Sequence, residues 1–325
     1  MGLIQNGRWV DQWYDTDSTD GKFERQESVF RGHIGQGVSA LGTPQATKNP
    51  QATSYPPESG RYHLYVSYAC PWAHRALIFR ALKGLSEHIS VSVVDPLMLE
   101  NGWEFSDGDS LYGLNYLYQL YLKADPTYQG RVTVPVLWDR VTETIVNNES
   151  GEVIRIFNSE FNALTGNNDD YYPEALRSEI DAVNERVYHD INNGVYKAGF
   201  ATSQRIYEEE YDCVFAALDW LEEHLSSKNF PVGNRLTEAD WRLWTTLIRF
   251  DPVYHGHFKL NRNKLSEYEH IPVYMQRLGE IPGVAETVHL DHIKQHYYGS
   301  HKTINPNGVI PKGPEGFNHP RRLRD

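Results

Sequence analysis

The chain has 325 residues, 40% of them hydrophobic, with 43 acidic against 31 basic side chains and a formal net charge of -12. That length suffices for two domains with separate cores, and a pI of about 5.6 removes any general electrostatic case for nucleic acid or an anionic membrane surface. No apolar run is long enough to span a bilayer, and Met1 to Asp11 lack the apolar core of a signal peptide; a soluble cytoplasmic protein with reduced cysteines is expected.

Residues 1–60 are rich in Gly, Ser, Thr, Gln, Asp and Pro, with scattered aromatics such as Trp9, Trp13, Tyr14, Phe23 and Phe30. They read as an irregular extension whose aromatics lie down on the folded body and whose stretch Gly35 to Pro57 is a loop.

From Arg61 the pattern changes. Tyr62 to Val66 reads as a strand, and Ala73, Leu77, Ile78 and Leu82 recur at helical spacing behind it. Cys70 stands at the junction, followed by Pro71, which suits the first helical position. A cysteine there has its sulfur among unpaired amides at the positive end of a helix dipole, which favours thiolate. His74 and Arg75 add possible positive charge. The plainer alternative is a small buried hydrophobe at a strand end. Cys213, within the helical run Ser203 to Leu225, reads as a residue near the core. The third position after Cys70 is Ala73, so the site has no second cysteine for an internal disulfide and needs an external thiol to regenerate it.

Ile89 to Val94 is a β-branched strand suited to a buried parallel position. Asp95 to Tyr128 reads as a long insertion with Trp103 and a helical stretch near Leu111 to Lys123. Arg131 to Trp138 and Thr144 to Asn147 are two further strands, with Pro135 at a point where a cis bond could hold the chain against a ligand. Ser150 then reads as the N-cap of a helix over Glu152 to Phe157, with amides behind it for a carboxylate. The order β-α-β, then β-β-α, is the thioredoxin arrangement, and residues 61–165 form that domain.

Residues 166–310 read as all-helical: Pro173 to Ile191, Ser203 to Leu225, Leu236 to Phe250, Ile271 to Leu278 and Gly283 to Tyr297, with 311–325 as a tail. Thr237 and Asp240 have capping-box spacing, a helix start without catalytic content. His289, His292 and His296 fall on one helical face near His301, but helical histidines more often pair or cap, and no metal is expected.

Several strings together carry a family resemblance: Tyr65-Val-Ser-Tyr-Ala-Cys-Pro-Trp-Ala-His-Arg75, Pro96 to Trp103, Gly130 to Trp138, Asn193 to Phe200, Arg249 to Tyr254 and His301 to Pro306. Over residues 1–310 they resemble the xi-class glutathione transferases, the glutathionyl-hydroquinone reductase family. The resemblance implies a thioredoxin-like domain followed by a helical bundle, a homodimer, and glutathione as co-substrate held by Trp103, Arg131, the Val134 backbone, Glu149 and Ser150. It further implies an aromatic pocket made by Tyr196, Tyr254 and Tyr297, with Cys70 as nucleophile. Each assignment has a chemical reading: Arg131 for a carboxylate, Glu149 for an ammonium, Ser150 for a carboxylate, and phenols for a phenolic ring whose leaving carbon needs a proton. Taken singly, Arg131 could be a solvated strand-edge residue and Trp103 a lid over the core. The rival functions are an omega-like thioltransferase or dehydroascorbate reductase, and a non-catalytic interaction module on the same fold.

Overall fold

A computed structural model describes residues 2–35 and 55–314. Most of the expected loop Gly35 to Pro57, and the tail beyond Pro314, lie outside the described residues. The chain divides into two compact units: residues 1–13 with 26–170, and residues 14–25 with 171–325.

The first unit is built on a four-stranded sheet. Its strands are β3 (Tyr62–Val66), β4 (Ser90–Val93), β8 (Val136–Asp139) and β9 (Thr144–Asn147), in the order β4-β3-β8-β9. Only β3 and β4 run parallel; β3 with β8 and β8 with β9 are antiparallel. All five residues of β3 are buried, and each large aliphatic side chain so removed from water contributes about 1.5–3 kcal/mol. Helices α1 (Pro71–Leu82) and α3 (Ser150–Ser159) pack on each other beside this sheet. Helix α1 was expected to bury one stripe, but His74, Arg75, Ala76 and Phe79 are buried together with Ala73, Leu77 and Ile78. Arg75 is accommodated by laying its guanidinium over the Trp72 ring, 4.8 Å from the centroid.

The first residues are less irregular than their composition suggests. Strands β1 (Leu3–Gln5) and β2 (Arg8–Val10) form a hairpin, and β1 also pairs with β7 (Gly130–Arg131). The turn is supplied by Asn6 and Gly7, both with positive φ, the backbone that a two-residue hairpin needs. Trp9 stacks on Tyr118 at 5.3 Å, and Phe30 packs against Tyr121 and Tyr128. Around Phe30 the chain also covers the outer edge of β9, with Gly32 N donating to Val146 O and Asn148 N to Phe30 O. Such cover removes an exposed row of unpaired backbone groups. A second small hairpin pairs β5 (Met98–Leu99) with β6 (Gly102–Trp103). The insertion's helix is α2 (Leu117–Ala124), shorter at its start than the pattern indicates. The unit closes with α4 (Asn162–Thr165).

The second unit is helical among its described residues: α5 (Arg177–Arg186), α6 (Gly194–Gly199), α7 (Gln204–Leu225), α8 (Glu238–Arg249), α9 (Ile271–Gly279) and α10 (Leu290–Ser300). Helix α8 is its centre, with Trp241 and Trp244 wholly buried. The capping box forms as read: Thr237 N donates to Asp240 Oδ2 at 2.7 Å. The last helix begins at Leu290, not Gly283, because Ile281 to Val288 turns tightly ahead of it. Wider turns of π type, Val187–Asn192 and Phe250–Tyr254, follow α5 and α8. Pro252 within the second has no N–H for an ordinary helical bond. Cys213 corrects the expectation for it. It is exposed, because it lies on the stripe of α7 with Glu209 and Ala216, while Val214, Leu218, Leu221 and Leu225 face inward. Partial desolvation, with Glu210 and Asp190 nearby, pushes its pKa up, so it holds its proton.

Candidate active site

Two clusters of the expected residues form, one in each unit. In the first, the chain leaves β3 at Val66, turns with Cys70 N donating to Ser67 O at 3.1 Å, and enters α1 through Pro71. Cys70 is therefore the residue capping α1, with extended backbone angles (φ -78°, ψ 121°), and its own C=O accepts the first helical bond from His74 N at 2.9 Å. The sulfur is partly exposed and stands 3.6 Å from the Val134 carbonyl, to which the thiol donates. The Val134–Pro135 peptide is cis.

The segment before that bond is fixed by a group that the sequence reading missed. The buried Tyr121 hydroxyl donates to Thr133 O at 2.8 Å, accepts from Thr133 N at 3.2 Å and accepts from Asn148 Nδ2 at 3.1 Å. Burial pushes its pKa up, so it remains a neutral donor. Helical spacing places Tyr121 on the inner face of α2 but carries no sign of this role.

Beside this lies the start of α3. The N-cap is Glu149 rather than Ser150: Glu149 Oε1 accepts from Gly151 N at 3.1 Å, and Ser150 is the first helical residue. With the cap one residue earlier, the carboxylate takes the second amide of the helix, that of Gly151. Glu149 Oε2 also accepts from Ser28 Oγ at 3.1 Å. Ser150 is 3% exposed, and among the described residues its hydroxyl and amide make no hydrogen bond. Trp103 is 5% exposed at the end of β6. Arg131 is partly buried; its guanidinium donates to the main-chain carbonyls of Gln12 and of Trp13, the latter at 2.9 Å, bracing the N-terminal segment. No local pattern signals that contact, since the partners are more than 100 residues away.

In the second unit Tyr196, Tyr254 and Tyr297 converge. Tyr297 is central: its hydroxyl is 2.5 Å from that of Tyr196 and 3.1 Å from that of Tyr254. Their exposures are 8%, 0% and 1% for Tyr196, Tyr254 and Tyr297. Three phenol protons meet across two O···O contacts, so the two contacts use only two of them. Burial pushes Tyr297 well above the ordinary tyrosine value, with Tyr196 and Tyr254 adding to the effect; the centre of the triad is a neutral hydroxyl. Behind it are buried histidines. His257 Nε2 and His301 Nδ1 are 3.1 Å apart, and the His301 ring centroid lies 5.5 Å from that of Tyr297. Burial lowers His257 to about 4 and His301 well below 6.5, so both are neutral at pH 7. His289 and His292 approach each other at 6.3 Å, and among the described residues no group of three or more His, Cys, Asp or Glu side chains is gathered for a metal. No helix of the described residues is long and apolar enough to cross a membrane.

The arrangement resembles known proteins along nearly its whole length. Residues 69–160 match the model of the glutathione S-transferase N-terminal domain, and residues 204–277 that of the glutathione S-transferase C-terminal domain. The glutathionyl-hydroquinone reductase YqjG of Escherichia coli (strain K12) is 55% identical over 97% of this chain and 95% of its own. The glutathionyl-hydroquinone reductase PcpF of Sphingobium chlorophenolicum is 51% identical over 97% and 96%. The glutathione-bound structure of YqjG superposes with a TM-score of 0.83, covering 90% of this chain and 95% of that one, and the xi glutathione S-transferase of Phanerochaete chrysosporium does so at 0.85, with 45% identity and 93% and 96% covered.

Proposed function

We propose, for a chain that belongs to the xi-class glutathione transferases of the glutathionyl-hydroquinone reductase family, that it reduces glutathionyl-hydroquinones to hydroquinones at the expense of glutathione. The Cys70 thiolate attacks the thioether sulfur. The carbon–sulfur bond breaks, its electron pair and one proton go to the ring carbon, and a Cys70–glutathione disulfide remains. A second glutathione thiolate attacks that disulfide, oxidised glutathione leaves, and Cys70 returns to its starting state, giving ping-pong kinetics.

The observation that carries this reading is the placement of the single sulfur: partly exposed, at the start of α1, 3.6 Å from the carbonyl of Val134. The backbone of Val134 suits the cysteinyl portion of glutathione, since its carbonyl already faces the Cys70 sulfur at 3.6 Å. Glu149 offers a carboxylate to the γ-glutamyl ammonium, while the Ser150 hydroxyl and amide suit its carboxylate. Arg131 adds positive charge for the other carboxylate, and Trp103 supplies an aromatic wall. The tyrosine triad favours a phenolic ring over a simple disulfide, and with it the reductase over the omega-like alternative. Tyr196 and Tyr297 are the phenols assigned to the ring's oxygens and to the proton on carbon, and Tyr254 completes the pocket. The reducing cytoplasm supplies the glutathione, and a homodimer is the expected state.

Incubation with a glutathionyl-hydroquinone in the absence of free glutathione, followed by mass spectrometry, should find a glutathione adduct on Cys70. Full turnover by Cys70→Ser would discard the scheme.

A further inference from the structure

The proposed reaction leaves open which phenol releases the proton to the ring carbon, and the answer lies in a part of the chain far from the tyrosines in sequence. Residues 14–25 belong to the helical unit although the residues on either side belong to the first. This strap is tied to the start of α7. Thr202 N donates to Gly21 O at 3.2 Å, and Asp20 pairs with Arg205. Gly21 has φ +87°, and a Cβ there would fall 2.6 Å from the Ser203 Cβ, so only glycine allows the close approach. The strap then lays Phe23 against Phe200, with ring centroids 5.3 Å apart, and against Tyr196 at 6.4 Å. Arg25 follows. Its Nε donates to the buried Asn193 Oδ1 at 3.1 Å, and its guanidinium carbon stands 5.0 Å from the centroid of the Tyr196 ring.

We infer that Arg25 is a positioning residue for Tyr196: held by Asn193 over the phenol ring, its charge stabilises the phenolate that Tyr196 becomes on giving its proton to the leaving ring carbon. The inference rests on the proposed function and adds the identity of the proton donor. The step balances: the O–H bond of Tyr196 breaks, its proton joins the carbon that keeps the electron pair of the broken carbon–sulfur bond, and water later returns a proton to the phenolate. A cation held over the ring favours the anion over the neutral phenol.

Tyr297 is less suited, because burial and the enclosing Tyr196 and Tyr254 hold its proton, and Arg249 only partly offsets them. The other charged or titratable groups around Tyr196 do not duplicate Arg25. Lys197 pairs with Glu210 at 3.3 Å, Arg249 bears on Tyr297, and His257 and His301 are neutral behind Phe258 and Tyr297.

Full-length wild type, Arg25→Met and Arg25→Lys would be assayed on a glutathionyl-hydroquinone and on a small glutathionyl disulfide, which needs no proton on carbon, from about pH 6 to about pH 10. The ratio of thioether to disulfide turnover should fall about tenfold in Arg25→Met at neutral pH. The alkaline limb of the thioether rate should move upward by about one pH unit, since a phenol without its cation holds its proton longer, and Arg25→Lys should restore much of both. An unmoved limb with an unchanged ratio, or an equal fall in both activities, overturns the role of Arg25 while leaving the reductase reading in place. A wild type that never turns over the thioether overturns the reductase reading, and the proton-donor assignment with it.

Discussion

Asp240 offers a sharp test of the energetics of the helical unit. It is wholly buried at the start of α8, with Oδ2 accepting from Thr237 N at 2.7 Å and Oδ1 from the Tyr274 hydroxyl at 2.9 Å. Burial raises its pKa from 3.8 to about 7, and the hydrogen bonds from Thr237 and Tyr274 only partly offset that. The folded protein therefore binds this proton more tightly than the unfolded chain. Stability is greatest below the unfolded value near pH 4, falls as pH rises towards the folded value near 7, and levels off above it. At 1.36 kcal/mol per pH unit, the shift bounds the loss at about 4 kcal/mol. In Asp240→Asn the amide oxygen can accept from Thr237 and the amide nitrogen can donate to Tyr274, so the shape is kept and the titration removed. Asp240→Ala strands two buried donors, at about 1–3 kcal/mol each, and deletes half of a capping box. Thermal unfolding followed by circular dichroism between about pH 5 and about pH 8.5 separates these cases. Wild type should lose Tm with rising pH more steeply than Asp240→Asn, whereas Asp240→Ala should be the least stable throughout. Parallel Tm curves for wild type and Asp240→Asn would refute the argument that burial dominates at this carboxylate.

Two further outcomes test other parts of the molecule. Tyr297→Phe removes the hydroxyl joining Tyr196 to Tyr254, and should lower kcat/KM for glutathionyl-hydroquinones about a hundredfold while sparing a small glutathionyl disulfide much more; equal losses in steady-state assays would argue against a ring-binding triad. Asp139→Asn breaks the bidentate pair with Arg61, at 2.9 and 2.7 Å, where β8 meets β3. It should destabilise the first unit by about 1–3 kcal/mol, because the amide cannot accept both guanidinium bonds and the exposed Glu58, at 3.3 Å, is left as the charge partner of Arg61. Burial works against ionisation of Asp139, but Arg61, Thr142 and the Val141 amide together hold its pKa below the ordinary value. The pair's contribution is thus present at neutral pH and lost as pH falls through the carboxylate range, and denaturant titration at two pH values would detect an Asp139→Asn penalty that shrinks in acid.

Local chemistry wrote several features directly into the sequence. A proline after Cys70 fixed where α1 begins, the spacing of Thr237 and Asp240 fixed where α8 begins, and the β-formers of Tyr62 to Val66 fixed the central strand, because each depends only on neighbours within a few residues. The matching strings around Cys70, Val134 and Tyr196 carried the family as well. Folding alone decided what depends on partners distant in the chain. It made Glu149 the cap in place of Ser150, turned Cys213 to solvent, set the Tyr121 hydroxyl against Thr133, and joined three phenols from positions 196, 254 and 297 through hydroxyl contacts of 2.5 and 3.1 Å. It also brought Arg25 over Tyr196 across 171 residues of chain. The physical reason is the same in each case: propensity and capping act over one or two helical turns, whereas burial and charge act through space, and only the folded chain says which distant side chains share that space.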